Sequence, residues 1–215
     1  MAIPTTNTAE WLKPVNQIIN SIGQAPVTTL ESTNPDVAIA FETLENINRE
    51  VQAEGWSFNK EFHKDFSPEV AGDYLDYILI PDDVLQLKLT DNASNQDYDG
   101  VMRRDSAGNR YLYDRQNHTA LWTQTTVECD IVWHYTWRDI PVPIQDYITA
   151  RSAAICSQRI VGDPTQYQLL SQKEMYNRAQ ALEYECNQGS YTFFGEPTDK
   201  RNSYISYQPY KALQR

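Results

Sequence analysis

The longest amphipathic pattern in the chain runs from residue 35 to residue 55. Its apolar residues recur at steps of three and four, which at about 100° per residue places them on one side of a helix. Asn34 can accept a hydrogen bond from the first turn, Pro35 suits the first helical position, and Gly55 can adopt the left-handed turn that ends a helix. The pattern predicts a helix whose core-facing stripe consists of Val37, Ala40, Phe41, Leu44, Ile47 and Val51.

A shorter apolar stripe precedes this helix. It predicts a first helix that begins between Ala9 and Pro14 and ends at Gly23. Because proline is tolerated only in the first turn of a helix, Pro14 implies either that the helix starts near Leu12 or that it is bent there. The stripe consists of Leu12, Val15, Ile18, Ile19 and Ile22.

The centre of the chain changes to the two-residue period of β-strands. Alternation of apolar and polar residues predicts strands at residues 85–89 and 125–137, and shorter strands at residues 101–104 and 110–114. Residues 106–109 are typical of the turn that joins the two short strands. We therefore expect a small antiparallel sheet in the middle of the chain.

Two further helices are predicted after Pro141. The third runs to about Val161, Gly162 breaks it, and the fourth covers residues 165–187. The fourth helix has two apolar sides, which predicts that it is contacted twice, once by a neighbouring subunit. One side carries Met175, Ala179, Leu182 and Cys186, and the other carries Tyr167, Leu170, Ala181 and Tyr184.

Together these elements predict an α+β fold, in which a bundle of about four α-helices holds an inserted small antiparallel β-sheet lobe and an extended C-terminal tail follows. The helical bundle would comprise residues 1–59 and 141–187, the β-rich lobe residues 60–140, and the interaction tail residues 188–215. A chain of 215 residues can bury one sizeable core, so a second independent domain is not required.

Charge and hydropathy narrow the class of function. The net charge is −11 and the pI is about 4.7, which argues against a DNA-gripping surface made of clustered Lys and Arg. An acidic protein can still surround DNA without binding it. We find no apolar run of about eighteen residues and no charged-then-apolar leader after Met1, so we expect a soluble protein made in a cytoplasm, with no membrane span.

The residues after the fourth helix have a different character. Residues 188–215 are rich in aromatic side chains and carry a formal charge of +2, against −11 for the whole chain. An aromatic, basic segment on an acidic body is typical of an interaction segment.

Neither the cysteines nor the histidines form a recognisable site. Cys129, Cys156 and Cys186 are far apart, odd in number and not at metal-ligand spacing, which predicts free thiols. The three histidines lie on different predicted elements, without a nucleophile motif or a paired histidine. We therefore predict no metal site, no cofactor and no enzymatic activity.

Two chemical alternatives remain open. Residues 95–100 resemble the front half of a calcium-binding loop, but the acid that would complete the loop falls at Ser106, so we favour a hairpin turn at Asp99-Gly100. A pair of carboxylates could also serve a glycan hydrolase. The acids that suggest such a pair are Asp82, Asp83, Glu128 and Asp130.

Asn48 and Arg151 are the most informative polar residues in the predicted helices. Both project from otherwise apolar faces, and buried polar groups must find partners. We therefore predict that each is either a structural tie within the helical part or a subunit contact. The same prediction covers Tyr167 and Tyr184 on the fourth helix.

An ordered set of short blocks resembles the tail tubular protein A family of T7-type podoviruses, also called the tail adaptor or gatekeeper. The resemblance covers residues 10 to about 187, and the order and spacing of the blocks make it specific. The blocks include Val15-Asn16, Ser21-Ile22-Gly23, Pro26-Val27, Leu30-Glu31, Ile47-Asn48-Arg49, Gly55-Trp56-Ser57-Phe58-Asn59, Tyr111-Leu112-Tyr113-Asp114-Arg115, Arg138-Asp139 and Pro141.

The resemblance implies a structural virion protein of a bacteriophage tail, assembled in the host bacterial cytoplasm. Its subunits would form a dodecameric ring, of about twelve copies, between the capsid portal protein and the tail nozzle (tubular protein B). The ring would help dock the tail fibre and let double-stranded DNA pass through its channel during genome ejection without specific binding. A head-closure or connector protein of another phage tail type, or a virion-associated glycan hydrolase, is the alternative.

The same resemblance implies that the C-terminal segment faces the portal. A lone aromatic segment buries little area, so we expect it to become ordered only on its partner. The residues expected to bind the portal are Tyr191, Phe193, Phe194, Tyr204, Tyr207, Tyr210, Lys211 and Arg215.

Overall fold

The computed structural model describes residues 8–30, 34–90 and 95–189. Within these ranges the chain combines four α-helices with two small antiparallel sheets, which confirms the predicted α+β class. The third helix lies at the centre of the helical part and contacts the other three. The helices are α1 (Thr8–Ser21), α2 (Pro35–Ala53), α3 (Val142–Ile160) and α4 (Pro164–Gly189).

The prediction for α2 is confirmed at both ends and along its buried side. The side chain of Asn34 accepts a hydrogen bond from the backbone N–H of Asp36 at 3.0 Å, and Pro35 occupies the first turn. Gly55 follows the helix with φ of +77°, a conformation that favours glycine because it has no Cβ. All six residues of the predicted stripe are buried in the helical core.

The start of α1 differs from the prediction. The helix begins at Thr8, one residue before the predicted range, and Pro14 lies inside it, which excludes the alternative of a start near Leu12. An interior proline removes one backbone hydrogen bond and costs about 3 kcal/mol. Packing of the turn before Pro14 offsets this loss, because the ring of Trp11 contacts those of Phe41 at 5.7 Å and Trp137 at 5.1 Å.

The strands form two sheets. β1, β5 and β2 pair antiparallel with β5 in the middle, and β3 and β4 form a hairpin. Residues 78–80 run beside β4, where Ile80 N–H donates to Arg110 O and Leu112 N–H donates to Ile78 O, both at 2.9 Å. The strands are β1 (Lys60–Phe66), β2 (Val84–Leu89), β3 (Gly100–Arg104), β4 (Arg110–Asp114) and β5 (Val127–Trp133).

The sequence analysis did not predict β1. This strand pairs with β5 across a bulge between Glu61 and Lys64, where His63 has φ of +56°. A bulge shifts the side chains that follow it relative to the two faces of the sheet, so apolar and polar residues no longer alternate along the sequence. Phe62 is exposed as a result, whereas Phe66 packs against the core of the sheets.

Two other predictions, the end of one strand and the position of one turn, are wrong. β5 ends at Trp133 rather than at residue 137, and Trp137–Asp139 form a 3₁₀-helix whose Trp137 belongs to the helical core. Asp99-Gly100 is not a hairpin turn, because Gly100 begins β3. At Gly100 the chain passes so close to Leu89 that a Cβ would lie 2.9 Å from its Cγ atom.

Candidate interaction surfaces

The inner side of α4 packs against the rest of the helical part. Ala181 is fully buried, Tyr184 packs against the helical core, and Leu170 is half-buried. Near the start of the helix, the side chain of Gln166 donates a hydrogen bond to the carbonyl of Ser21 at the end of α1. Of the two predicted apolar sides, this is the one that the fold covers.

The other side of α4 faces solvent. Leu169, Met175, Tyr176 and Leu182 are between 46% and 64% exposed, and Cys186 is exposed on the same side. We call these five residues the α4 outer face. Large apolar side chains grouped on one helix face mark an interaction site more often than scattered ones do. No described segment of the chain covers this face.

The residues predicted as structural ties or subunit contacts occupy different environments. Asn48 is buried and accepts a hydrogen bond from the side chain of Gln52 at 3.0 Å. Tyr184 is partly buried, whereas Tyr167 is 38% exposed at the edge of α4. Asn48 is thus hydrogen-bonded within its own chain, and a subunit-contact role for any of these residues stays a prediction.

Arg151 joins three helices around the buried Tyr147. It donates to the Tyr147 hydroxyl at 3.1 Å and to Glu50 of α2 at 2.5 Å. Arg178 of α4 donates to the same hydroxyl at 2.6 Å and lies 3.4 Å from Glu54. Tyr147 itself is fully buried, so this network links α2, α3 and α4 at the edge of the core.

A second polar network connects the helical part to the sheets, and the sequence analysis missed its main residue. Gln52 is fully buried; its Nε2 donates to the carbonyl of Tyr135 at 3.0 Å and its Oε1 accepts from the Tyr135 N–H at 2.7 Å. Asn59 donates to the carbonyls of Gln52 and Trp133 at 2.9 and 2.8 Å. Spacing could have revealed Gln52, because it follows Asn48 by one helical turn.

Gln52 also explains where β5 ends. Its amide takes the backbone N–H and C=O of Tyr135, the groups that a longer strand would use for pairing. Such a side-chain partner satisfies the backbone without extending the sheet.

The β3–β4 hairpin presents an aromatic face to solvent. The guanidinium of Arg103 lies 3.5 Å from the centre of the Tyr113 ring, and the rings of Tyr77 and Tyr111 are 5.5 Å apart. The Tyr74 hydroxyl donates to the carboxylate of Asp105, and this hydrogen bond lowers the pKa of Asp105. Tyrosine and arginine are enriched at protein interfaces, so this face can contact a partner.

The calcium-like segment is engaged within the chain. The carboxylate of Asp99 lies 2.7 Å from Arg115, and the Asn95 side chain donates to the carbonyls of Thr90 and Glu128 at 2.9 Å. Over residues 8–30, 34–90 and 95–189, no three His, Cys, Asp or Glu side chains are placed together to hold a metal ion.

Three of the four acids considered for hydrolysis have partners within the chain. Asp82 lies 3.2 Å from Arg110, and Glu128 lies 3.0 Å from the imidazole of His63. Asp130 accepts hydrogen bonds from the His63 N–H at 3.2 Å and from the hydroxyl of Thr90 at 2.9 Å. Each of the three carboxylates is therefore paired or hydrogen-bonded within the chain.

The three cysteines are all free, as predicted. Cys129 and Cys156 are buried, and burial raises the pKa of Cys129 to about 12, with Asp130 and Asp65 adding to the shift. Burial also raises the pKa of Cys156. Cys186, on the α4 outer face, is the exposed thiol.

The portal-binding residues predicted in the C-terminal segment, from Tyr191 to Arg215, lie outside the described residues. In the part of the chain that the structure covers, no helix combines the length and the apolar character that crossing a membrane requires.

Comparison with known proteins identifies the class of protein to which this chain belongs. The family model for tail tubular proteins matches residues 12–191, which is most of the chain. No curated protein matches the chain significantly. Among solved structures, a chain of the "Neck of empty GTA particle computed with C6 symmetry" is 17% identical, covering 71% of this chain and 82% of that chain with a TM-score of 0.25.

The assignment of the chain to a protein family rests on the match to the family model. The chain belongs to the tail tubular protein family. It is a structural protein of a virion tail.

Proposed function

We propose that this chain is the ring-forming tail adaptor that joins the capsid portal to the tail nozzle. In this role it lines the channel for genome ejection and helps dock the tail fibre. Membership of the tail tubular protein family and the blocks that resemble tail tubular protein A support the proposal. The observation that carries it is the α4 outer face, an apolar helix surface that the described chain leaves uncovered.

A neighbouring copy is the occupant that suits the α4 outer face. Protein oligomers commonly consist of identical subunits, and a contact between two different surfaces closes into a ring when the rotation between subunits allows it. Leu169, Met175 and Leu182 are 46% to 64% exposed, so covering them fully would contribute roughly 1–1.5 kcal/mol each, about half of what complete burial of such a side chain gives. Tyr167, which is 38% exposed at the edge of the same helix, would extend the contact.

The segment after α4 is the proposed portal anchor. α4 ends at Gly189, and the aromatic and basic residues from Tyr191 to Arg215 follow directly. Aromatic side chains fill clefts well, and the basic residues suit an acidic partner surface. The hairpin face with Tyr77, Tyr111 and Arg103 is the corresponding candidate for contact with the nozzle or fibre.

The net charge suits passage of DNA. At −11 per chain, a ring of this protein would repel phosphate over short distances rather than bind it. A channel wall that bound the duplex strongly would slow ejection. A strongly basic inner wall in the assembled ring would contradict this part of the proposal.

The test is the mass of the purified protein before and after mixing with the cognate portal ring, measured by mass photometry. We expect a complex with about one copy of this chain per portal subunit. A protein that remains monomeric and does not bind the portal would refute the adaptor function.

Two double variants, each with a control, test the portal contact and the subunit contact separately. Phe193→Ser combined with Phe194→Ser should abolish portal binding, whereas Ser203→Ala in the same segment should not. Met175→Asp combined with Leu182→Asp should weaken ring formation, whereas Val142→Asp, an exposed apolar position on α3, should not. Normal portal binding by the phenylalanine variant would contradict the anchor.

A further inference from the structure

A group of arginines lines one cleft beside the β3–β4 hairpin. Arg49 of α2, Arg104 of β3 and Arg110 of β4 border a cleft of about 270 Å³, and its apolar walls include Leu85 and Met102. No acidic residue lines this cleft. In a chain with a net charge of −11, such a concentration of positive charge is a local exception.

Arg110 is held by partners within the chain, whereas Arg49 and Arg104 can contact another molecule. Arg110 is only 10% exposed in its side chain, donates to the carbonyl of Val84 at 2.7 Å and lies 3.2 Å from Asp82. Arg49 and Arg104 are exposed and form no ion pair with any residue that the structure describes. Arg103 also borders the cleft, but its guanidinium lies over the ring of Tyr113.

The same chain exposes an acidic loop, which we define as residues 67–76. Glu69, Asp73 and Asp76 are exposed in this loop, together with Val70, which is 89% exposed, and Leu75. The loop is held by backbone hydrogen bonds, including Glu69 N–H to the Tyr77 carbonyl and Asp76 N–H to the Glu69 carbonyl, both at 2.9 Å. A loop ordered in advance loses less entropy on binding.

The loop does not enter the cleft of its own chain, because none of residues 67–76 lines it. Directly paired residues of an antiparallel hairpin share a face, so Arg104 and Arg110 lie on the side of the buried Leu112. Tyr111 is on the other side, where its ring contacts that of Tyr77 at the end of the loop. The loop instead contacts the hairpin turn, where the Tyr74 hydroxyl donates to Asp105, so its exposed acidic side chains can enter the cleft of a second copy.

We infer that the acidic loop of one copy sits in the arginine cleft of the next copy around the ring. This inference rests on the proposed ring assembly and adds a specific contact in the sheet part, separate from the α4 outer face. The contact is heterologous, as ring closure requires. Copies that each carry a net charge of −11 repel one another, so local pairing of opposite charge guides their association and sets its register.

A phosphate group is the other anion that arginines could bind. The composition of both surfaces favours the loop, because the cleft offers Leu85 and Met102 and the loop offers Val70 and Leu75. Apolar walls would match these side chains but not a DNA backbone.

The experiment reverses the charges of the cleft and of the loop. The fraction of chains assembled into rings is measured by mass photometry, with and without the portal. Arg49→Glu with Arg104→Glu should reduce the fraction of assembled rings roughly tenfold, and Glu69→Lys with Asp73→Lys should do the same. Mixing these two variants, or combining all four changes, should restore assembly. The matched control is Arg138→Glu, an exposed arginine in the 3₁₀-helix, which should assemble normally. Unchanged thermal unfolding of each variant shows that the fold is intact.

The outcomes separate the two proposals. If the wild-type protein forms rings and the charge-reversed variants do so equally well, the loop-to-cleft contact is wrong while the adaptor function stands. Failure of the swap to restore assembly also overturns the contact. If the arginine variant forms rings but loses binding to a labelled DNA duplex, the cleft binds phosphate instead. A wild-type protein that never assembles, even on the portal, refutes both proposals.

Discussion

Glu185 ties the last turns of α4 to Ser57 in the turn that follows α2. Its carboxylate accepts hydrogen bonds from the backbone N–H of Ser57 at 2.9 Å and from the Ser57 hydroxyl at 2.8 Å. The contact fixes the end of α4 from which the C-terminal segment continues.

We expect Glu185→Ala to loosen this end of α4. The change removes the acceptor for a backbone N–H and a hydroxyl, which should lower the free energy of unfolding by about 1–2 kcal/mol. Hydrogen exchange of the backbone amides near residue 185 should become faster. Glu183→Ala is the control, because Glu183 is exposed on the same helix. Equal exchange rates in the two variants would contradict this role of Glu185.

Gln52→Leu tests the junction between helices and sheets. Leucine has a similar size but cannot pair with the backbone of Tyr135, so a partly buried N–H and C=O lose their partner. We expect a loss of roughly 2–3 kcal/mol in the free energy of unfolding, measured by urea denaturation. Asn46→Leu, at an exposed position of α2, should change the free energy by about 0.5 kcal/mol or less. Similar losses in the free energy of unfolding of both variants would show that the hydrogen bonds between Gln52 and Tyr135 do not stabilise the junction.

Asp114 should make the hairpin sensitive to acid. Burial by itself would raise its pKa, but hydrogen bonds from the Asp99 N–H at 3.0 Å, the Asn117 amide at 2.6 Å and the Gln116 N–H at 2.9 Å outweigh burial and lower it. A lowered native pKa means that the unfolded chain binds a proton more readily. The stabilisation is therefore present above the ordinary pKa of 3.8 and is lost as the pH falls through the lower native value.

The variant that checks this is Asp114→Asn. It should reduce the free energy of unfolding at neutral pH by about 1–3 kcal/mol and should weaken the dependence of stability on acidic pH. Asp97→Asn, at an exposed position, serves as the control. An unchanged acid profile in Asp114→Asn would show that another group is responsible.

The reactivity of the native cysteines reports on folding and on the coverage of the α4 outer face without any substitution. A thiol reagent should modify one cysteine per folded chain, Cys186, because burial raises the pKa of Cys129 to about 12 and also raises that of Cys156. All three should react after denaturation. If a neighbouring copy covers the α4 outer face, Cys186 should be protected in the ring. Equal labelling of Cys186 in rings and monomers would place the subunit contact elsewhere.

The candidate surfaces were only partly predictable. The two apolar sides of α4 could be read from the spacing of its residues, but the sequence did not tell which side the fold covers. Packing against α3 decided that Ala181 is buried and Leu182 exposed. The arginine cleft left no sequence signal, because Arg49 is more than fifty positions from Arg104 and only the fold brings their elements together.

The sequence by itself determined the elements whose signals are local. Asn34, Pro35 and Gly55 set the ends of α2, and the spacing of its apolar residues set the buried face. The tertiary structure decided where distant partners compete with local preference. Trp11 packing keeps Pro14 inside a helix, Gln52 stops β5 at Trp133, and pairing with β5 makes a strand of residues 60–66 despite the bulge at His63. Local patterns reflect contacts between near neighbours in sequence, whereas these three outcomes depend on side chains that meet only after the chain has folded.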